Sequence, residues 1–154
     1  MSTYEHIFVK TDASPEAAGE ELARALGMEL LRDREGVVVW APGFGGVPGR
    51  VQGGLSPNIY GSAGDDPQDR SAIDDYQLVW TIWRSNSDEE MQLEIAWALF
   101  QELTRTVRWP AALVHDLDLL VAIWDPDRGL RRFPPLTTVD LQDEPIWRSG
   151  GARR

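Results

Sequence analysis

The sequence predicts one α+β domain in which two helices alternate with strands, and three observations carry that expectation. The 154 residues are enough for one hydrophobic core and short for two. Hydrophobic residues make up 42% of the chain, above the range of disordered sequences, yet no apolar run reaches the length of a bilayer span. Apolar residues recur at period two in some segments and at the helical period in others, which is the signature of strands and helices sharing one core.

The first strand is expected over Tyr4 to Thr11, with His6, Phe8 and Lys10 on one face and Glu5, Ile7 and Val9 on the other. Ser14 then offers a side-chain cap, Pro15 suits the first helical position, and Glu16 complements the positive helix end. Ala18, Leu22, Ala25 and Leu26 form the apolar stripe of this helix, and Gly27 can close it in the left-handed conformation. Leu30 and Leu31 read as one arm of a hairpin that turns at Arg34-Glu35-Gly36 into the β-favouring run Val37 to Trp40. Residues 42–75 contain eight glycines and four prolines and end in acids, so they are expected to form a long Gly/Pro/Asp-rich loop.

Tyr76 to Arg84 resumes as a strand, with Tyr76, Leu78, Trp80 and Ile82 on one face and Gln77, Val79, Thr81 and Trp83 on the other. Ser87 stands at capping-box spacing before Glu90, with Asp88 and Glu89 in between. Met91, Ile95, Leu99 and Leu103 then recur every four residues beside Trp97 and Phe100, predicting the second helix, which Pro110 bounds. Ala112 to Trp124 reads as one last central strand, with Leu113, Leu117, Leu119, Val121 and Ile123 on one face, followed by a turn at Asp125 to Gly129. Pro134 and Pro135 disfavour a regular strand, and Leu136 to Leu141 is a candidate edge segment. The domain therefore spans residues 1–149 with 150–154 as a flexible tail. Its order is that of a ferredoxin-like split βαβ sheet with two principal helices and a long central loop.

The candidate chemistry is sparse. Without cysteine there is no disulfide, thiolate nucleophile or cysteine-ligated metal. Gly43-Phe44-Gly45-Gly46 and Gly49 to Gly54 lack both the phosphate-loop and the dinucleotide-binding patterns. Asp65, Asp66, Asp69, Asp74 and Asp75 form the densest acid group, without the spacing of a calcium loop. His115 with Asp116 and Asp118 is the most catalytic-looking cluster, but strand alternation puts His115 on the face opposite both acids. Ser14 and Ser87 are explained by capping. No catalytic residue, metal site or cofactor is expected.

Charge points to the class of partner. Residues 1–127 hold 22 acids against nine Lys/Arg, while residues 128–154 hold six arginines against three acids, giving the net charge of −10. Such a body repels a phosphate backbone and attracts a basic protein. Neither nucleic acid nor membrane is an expected partner, and the N-terminal MSTYEHIFVK does not have the form of a secretory signal, so a cytoplasmic location is expected. Seven tryptophans add anchors: Trp80 and Trp97 are core candidates, Trp83 and Trp124 candidate contacts.

Several segments together resemble the small acidic α/β immunity proteins associated with polymorphic bacterial toxin systems. They are the strand-helix beginning through Gly27, the long loop, Asp74-Asp75-Tyr76-Gln77-Leu78-Val79-Trp80, the helix Glu90 to Val107, and Val114 to Trp124. The resemblance implies a non-enzymatic inhibitor that binds a cognate protein toxin and masks its active site. Asp65, Asp66, Asp69, Asp74, Asp75, Trp83, Asp116, Asp118 and Trp124 are the partner-binding candidates. Two alternatives stand beside it: a small hydrolase or transferase using His115 with nearby carboxylates, and a dimeric structural or ligand-sensing protein joined through its sheet.

Overall fold

The computed structural model describes residues 4–34, 36–60, 70–84 and 89–149. Among these it contains an eight-stranded antiparallel sheet and three α-helices, a mixed α/β architecture. The elements are β1 (Glu5–Val9), α1 (Pro15–Leu26), β2 (Glu29–Asp33), β3 (Gly36–Phe44), β4 (Val47–Pro57), β5 (Leu78–Arg84), α2 (Glu89–Thr106), β6 (Ala111–His115), β7 (Leu119–Asp125), β8 (Gly129–Arg132) and α3 (Glu144–Ser149). The spatial strand order is β2-β3-β4-β5-β1-β6-β7-β8. The first strand of the sequence thus lies inside the sheet, flanked by β5 and β6.

Local chemistry sets the helix ends. Ser14 Oγ accepts the Ala17 N–H at 3.2 Å, Pro15 opens α1, and Gly27 closes it at φ 67°. α1 buries Ala18, Gly19, Leu22, Ala23 and Leu26. A Cβ on Gly19 would come within 2.6 Å of Val37 Cγ1, so glycine is what lets this helix approach β3. The Ser87 capping box and the 150–154 tail lie outside the described residues.

Two departures from the expected layout matter. The 42–75 stretch is not one loop: β3 runs on to Phe44, and Gly45 and Gly46, at φ 64° and 83°, turn the chain into β4. Positive φ at both central residues suits a two-residue hairpin, and glycine allows it without strain. The Ala112 to Trp124 strand is likewise two strands, β6 and β7, joined by a tight turn at Asp116 to Asp118 in which Asp116 (φ 56°) and Leu117 (φ 62°) are left-handed. The turn, with a register shift at Leu113/Val114, breaks the expected single apolar face, leaving Leu113 buried and Leu117 36% exposed.

Alternation divides the core between the two sheet faces. Ile7 and Val9 of β1, Val39 and Ala41 of β3, Val51 and Leu55 of β4, and Leu78, Trp80 and Ile82 of β5 pack with α1 and α2 on one face. α2 contributes Ile95, Leu99, Phe100 and Leu103, whereas Met91, expected in this stripe, is 37% exposed. On the opposite face Phe8, Val79, Ala112, Val114, Leu120 and Ile123 are sealed by Ile73 and Tyr76 and by Phe133, Val139, Ile146 and Trp147. Tyr76 therefore does not share a face with Leu78 and Trp80; it precedes β5 and folds over the other side.

This cover is held by polar ties. Asn58 Nδ2 donates to the carbonyls of Ile73 (2.9 Å) and Tyr76 (3.0 Å), and isolated bridges join Ser71 to Asp140 and Leu119 to Thr138. The Leu136 to Leu141 segment contributes these bridge contacts without forming a regular edge strand. Arg131, buried beside Phe133, donates to the Trp147 carbonyl at 3.0 Å and so fastens α3 to β8.

Candidate functional site

Among the described residues the cover on the second face stops at β1 and β5, and none of them covers the β2-β3-β4 side of that face. Val38, Gln52, Gly54, Thr81 and Trp83 point away from the helices, because their neighbours Val37, Val39, Val51, Leu55, Trp80 and Ile82 point toward them. With Tyr4 they line a groove of about 540 Å³. A second hollow of about 290 Å³ continues from Gly54 toward Gly36 and Ser56. The glycines have opposite roles here. Gly53 faces the helices, where Trp80 Nε1 donates to its carbonyl at 2.8 Å and a Cβ would meet that indole at 2.4 Å. Gly54 faces the groove, where a Cβ would meet nothing within 4 Å, and so forms a bare floor between Val38 and Thr81.

Polar groups mark the groove's two ends. On the β3 side, Arg50 lies 4.2 Å from the centroid of Trp40 and donates through Nε to Gln52 Oε1 at 2.6 Å, which fixes the Gln52 amide. On the β1 side, the Asp116 N–H donates to the Tyr4 carbonyl at 2.9 Å, so the β6–β7 turn adjoins Tyr4. Asp116 and Asp118 are both exposed in that turn. At the seam between open and sealed halves, Tyr60 packs edge-on against His6 and Phe8, at centroid distances of 5.7 and 6.3 Å. His6 is 3% exposed, its Nδ1 has no hydrogen-bond partner among the described residues, and burial pushes its pKa down to about 4.

A different polar cluster lies at the same end of the sheet on the helix face. Glu5 is fully buried, and His115 Nδ1 stands 2.9 and 2.8 Å from its two carboxylate oxygens. Gln92 of α2 forms a further side-chain hydrogen bond to Glu5 and accepts the Arg84 N–H at 3.2 Å. Burial raises the Glu5 pKa against the opposing effect of His115. His115 is thus oriented by Glu5 across the β1–β6 ladder, and not by Asp116 or Asp118 as the enzyme alternative requires. Glu5 shares a face with Ile7 and Val9 in the alternating pattern, and a lone acid on an apolar strand face was the signal that it needs a buried partner. Among the described residues no group of three His, Asp or Glu side chains is placed to hold a metal ion.

The partner-binding candidates separate. Trp83 lines the groove and Asp116 adjoins it through Tyr4, while Asp118 lies in the same turn with its N–H donated to the His115 carbonyl. Trp124 lies on the other face, packed against the helix-side core with the Arg108 guanidinium 5.1 Å from its ring centroid, so it is not part of this surface. Asp74 is half-buried and its Oδ2 accepts the Ser71 N–H at 2.9 Å, closing the turn before β5; Asp75 is exposed in the same turn, at the other end of β5 from Trp83. Asp65, Asp66 and Asp69 lie outside the described residues. Tyr4, Val38, Gln52, Gly54 and Thr81 were not among the candidates, because a groove built across three strands has no signature in any one segment.

No helix among the described residues is long and apolar enough to cross a membrane. Comparison with protein families, with characterised proteins and with solved structures finds no match for this chain.

Proposed function

We propose that this chain is a protein-binding inhibitor that docks a basic partner on the open half of its sheet, in the manner of an immunity protein masking the active site of a cognate toxin in the cytoplasm. The observation that carries the proposal is the asymmetry of one sheet face. One half is sealed by two chain segments, while the other presents Trp83, Tyr4, Val38 and Thr81 around a groove of about 540 Å³. Aromatic anchors surrounded by polar groups are the composition of an interface centre. The net charge of −10 favours encounter with a basic protein.

The split βαβ architecture belongs to the same proposal. Strand order β4-β5-β1-β6 with α1 and α2 on one face supports it, with β2 and β3 inserted after α1 and with β7 and β8 appended.

Affinity purification from the native producer, with and without the neighbouring genes, tests the reading. We expect a basic protein whose activity is suppressed on binding and restored when the complex is dissociated. A chain that retains no partner, or that forms only a symmetric homodimer, refutes it. The Glu5–His115 pair favours a second reading, an acid–base enzyme, since a buried carboxylate orients the imidazole. An activity of the purified chain that His115→Ala removes while the fold persists would support that reading.

A further inference from the structure

We infer that the groove beside Trp83 and Tyr4 receives an arginine side chain of the protein partner, stacked on the Trp83 indole with its charge balanced by Asp116. This inference rests on the partner-binding reading and names what that site recognises. The chain's own aromatic contacts give the first support. Arg50 covers Trp40 and Arg132 covers Trp97, each at 4.2 Å, while Arg108 covers Trp124 at 5.1 Å and Arg148 covers Trp147 at 5.8 Å. Trp80 is fully buried with its N–H satisfied by Gly53. Trp83 is half-buried in the groove wall, and like Trp109, which packs against the helix-side core, it has no cation over its ring among the described residues.

The groove's shape and charge complete the match. Gly54 leaves a flat floor on which a planar group can lie against an aromatic wall, with the Thr81 hydroxyl as an acceptor for guanidinium N–H groups. Asp116 adjoins Tyr4 at one end. At the other end the Arg50 guanidinium stacks on Trp40 and donates to Gln52. A delocalised, weakly hydrated guanidinium stacks on an indole better than an ammonium does, so arginine fits this slot better than lysine. The acidic body supplies long-range attraction, and the slot supplies residue selectivity.

The test uses the full chain and three acetylated, amidated hexapeptides of arginine, lysine and glutamate, with indole NMR resonances and fluorescence as readouts at about 0.15 M salt. The arginine peptide should bind more tightly than the lysine peptide and shift the Trp83 indole signal. Trp83→Leu should weaken it roughly tenfold, while Trp83→Tyr retains much of the affinity. Gly54→Phe should fill the groove and abolish the shift, with circular dichroism checking the fold; Gly54→Ala is the milder variant. Asp116→Asn should weaken binding about threefold. Equal binding to wild type, Trp83→Leu and Gly54→Phe would mean diffuse attraction to an acidic surface and overturn the assignment. So would no binding by wild type, or a preference for the glutamate peptide, which would assign the groove to an anion held by Arg50. A producer protein that binds wild type and the groove variants alike removes the arginine slot and leaves the partner-binding reading standing. An arginine-selective shift without any retained partner does the reverse.

Discussion

The two halves of the second sheet face are built from neighbouring strands and end in opposite states. On the β1-β6-β7 side Phe8, Val79, Val114, Leu120 and Ile123 meet Tyr76, Phe133 and Val139 in a continuous apolar layer. On the β3-β4 side Val38 is followed by Gly54, Thr81, Gln52 and Trp83, where polar atoms alternate with aromatic surface. The difference does not arise from backbone pairing, which is antiparallel throughout. It arises from side-chain type and from where the chain's covering segments fall. An open face of uniform core residues would be an aggregation hazard. One that mixes tryptophan, glutamine and threonine around a glycine floor breaks up the apolar surface and lowers that hazard.

Substituting across the seam should sharpen that contrast most. Phe8 is fully buried among Tyr76, Tyr60 and His6, so Phe8→Ala should cost about 3–5 kcal/mol in urea denaturation. Trp83→Leu, on the open half and only half-buried, should cost under about 1 kcal/mol. Equal losses would mean that the open half is core after all.

The seam also predicts a pH dependence. His6 is held neutral, with its pKa at about 4 against an ordinary 6.5, so the unfolded chain takes up its proton first. The stability tied to it is present above about pH 6.5 and is lost as pH falls toward 4, by at most about 3 kcal/mol. Glu5 acts in the opposite sense. Its pKa is raised above the ordinary 4.5, so its contribution is present below that value and is lost as pH rises through the folded one. Stability measured at pH 7 and pH 5 should therefore fall on acidification in wild type and fall less, or rise, in His6→Phe. An unchanged pH dependence in His6→Phe would show that His6 is not the group responsible.

Local signals made some elements legible in the sequence and not others. Ser14, Pro15 and Gly27 fixed α1 because capping is a short-range hydrogen-bond problem that adjacent residues solve. The turn at Asp125 to Gly129 was legible for the same reason: Asp125 Oδ1 accepts the N–H groups of Asp127 (2.9 Å) and Arg128 (2.8 Å). The β3–β4 hairpin was hidden because Gly45, Gly46, Gly53 and Gly54 dilute the alternation that identifies strands, although only the first two are turn glycines. The β6–β7 turn was hidden because Leu117 occupies a left-handed position that sequence preference assigns to glycine or asparagine. Of the site, Trp83 and Asp116 were legible as an aromatic at a strand end and an acid in a polar cluster. The groove uniting them depends on the pairing of β4, β5 and β1, which no local pattern encodes.

The smallest of these tests isolates one backbone position from the next. Gly53 and Gly54 are consecutive in β4, so alanine at either changes strand propensity and unfolded-chain entropy by similar amounts. Their surroundings differ completely. At Gly53 a Cβ would lie 2.4 Å from Trp80 Nε1 and 2.8 Å from the Thr81 carbonyl oxygen. The carbonyl is backbone, and the indole is held by its own hydrogen bond to Gly53, so neither can yield without disturbing the pairing of β4 with β5. Gly53→Ala should therefore cost about 1–3 kcal/mol, the range of an overpacked core. At Gly54 the added methyl enters open groove, and Gly54→Ala should leave stability unchanged or raise it by up to about 1 kcal/mol. A loss at Gly54 comparable with that at Gly53 would mean that something in the folded chain already covers the groove, and the contrast between the two halves of the face would fail with it.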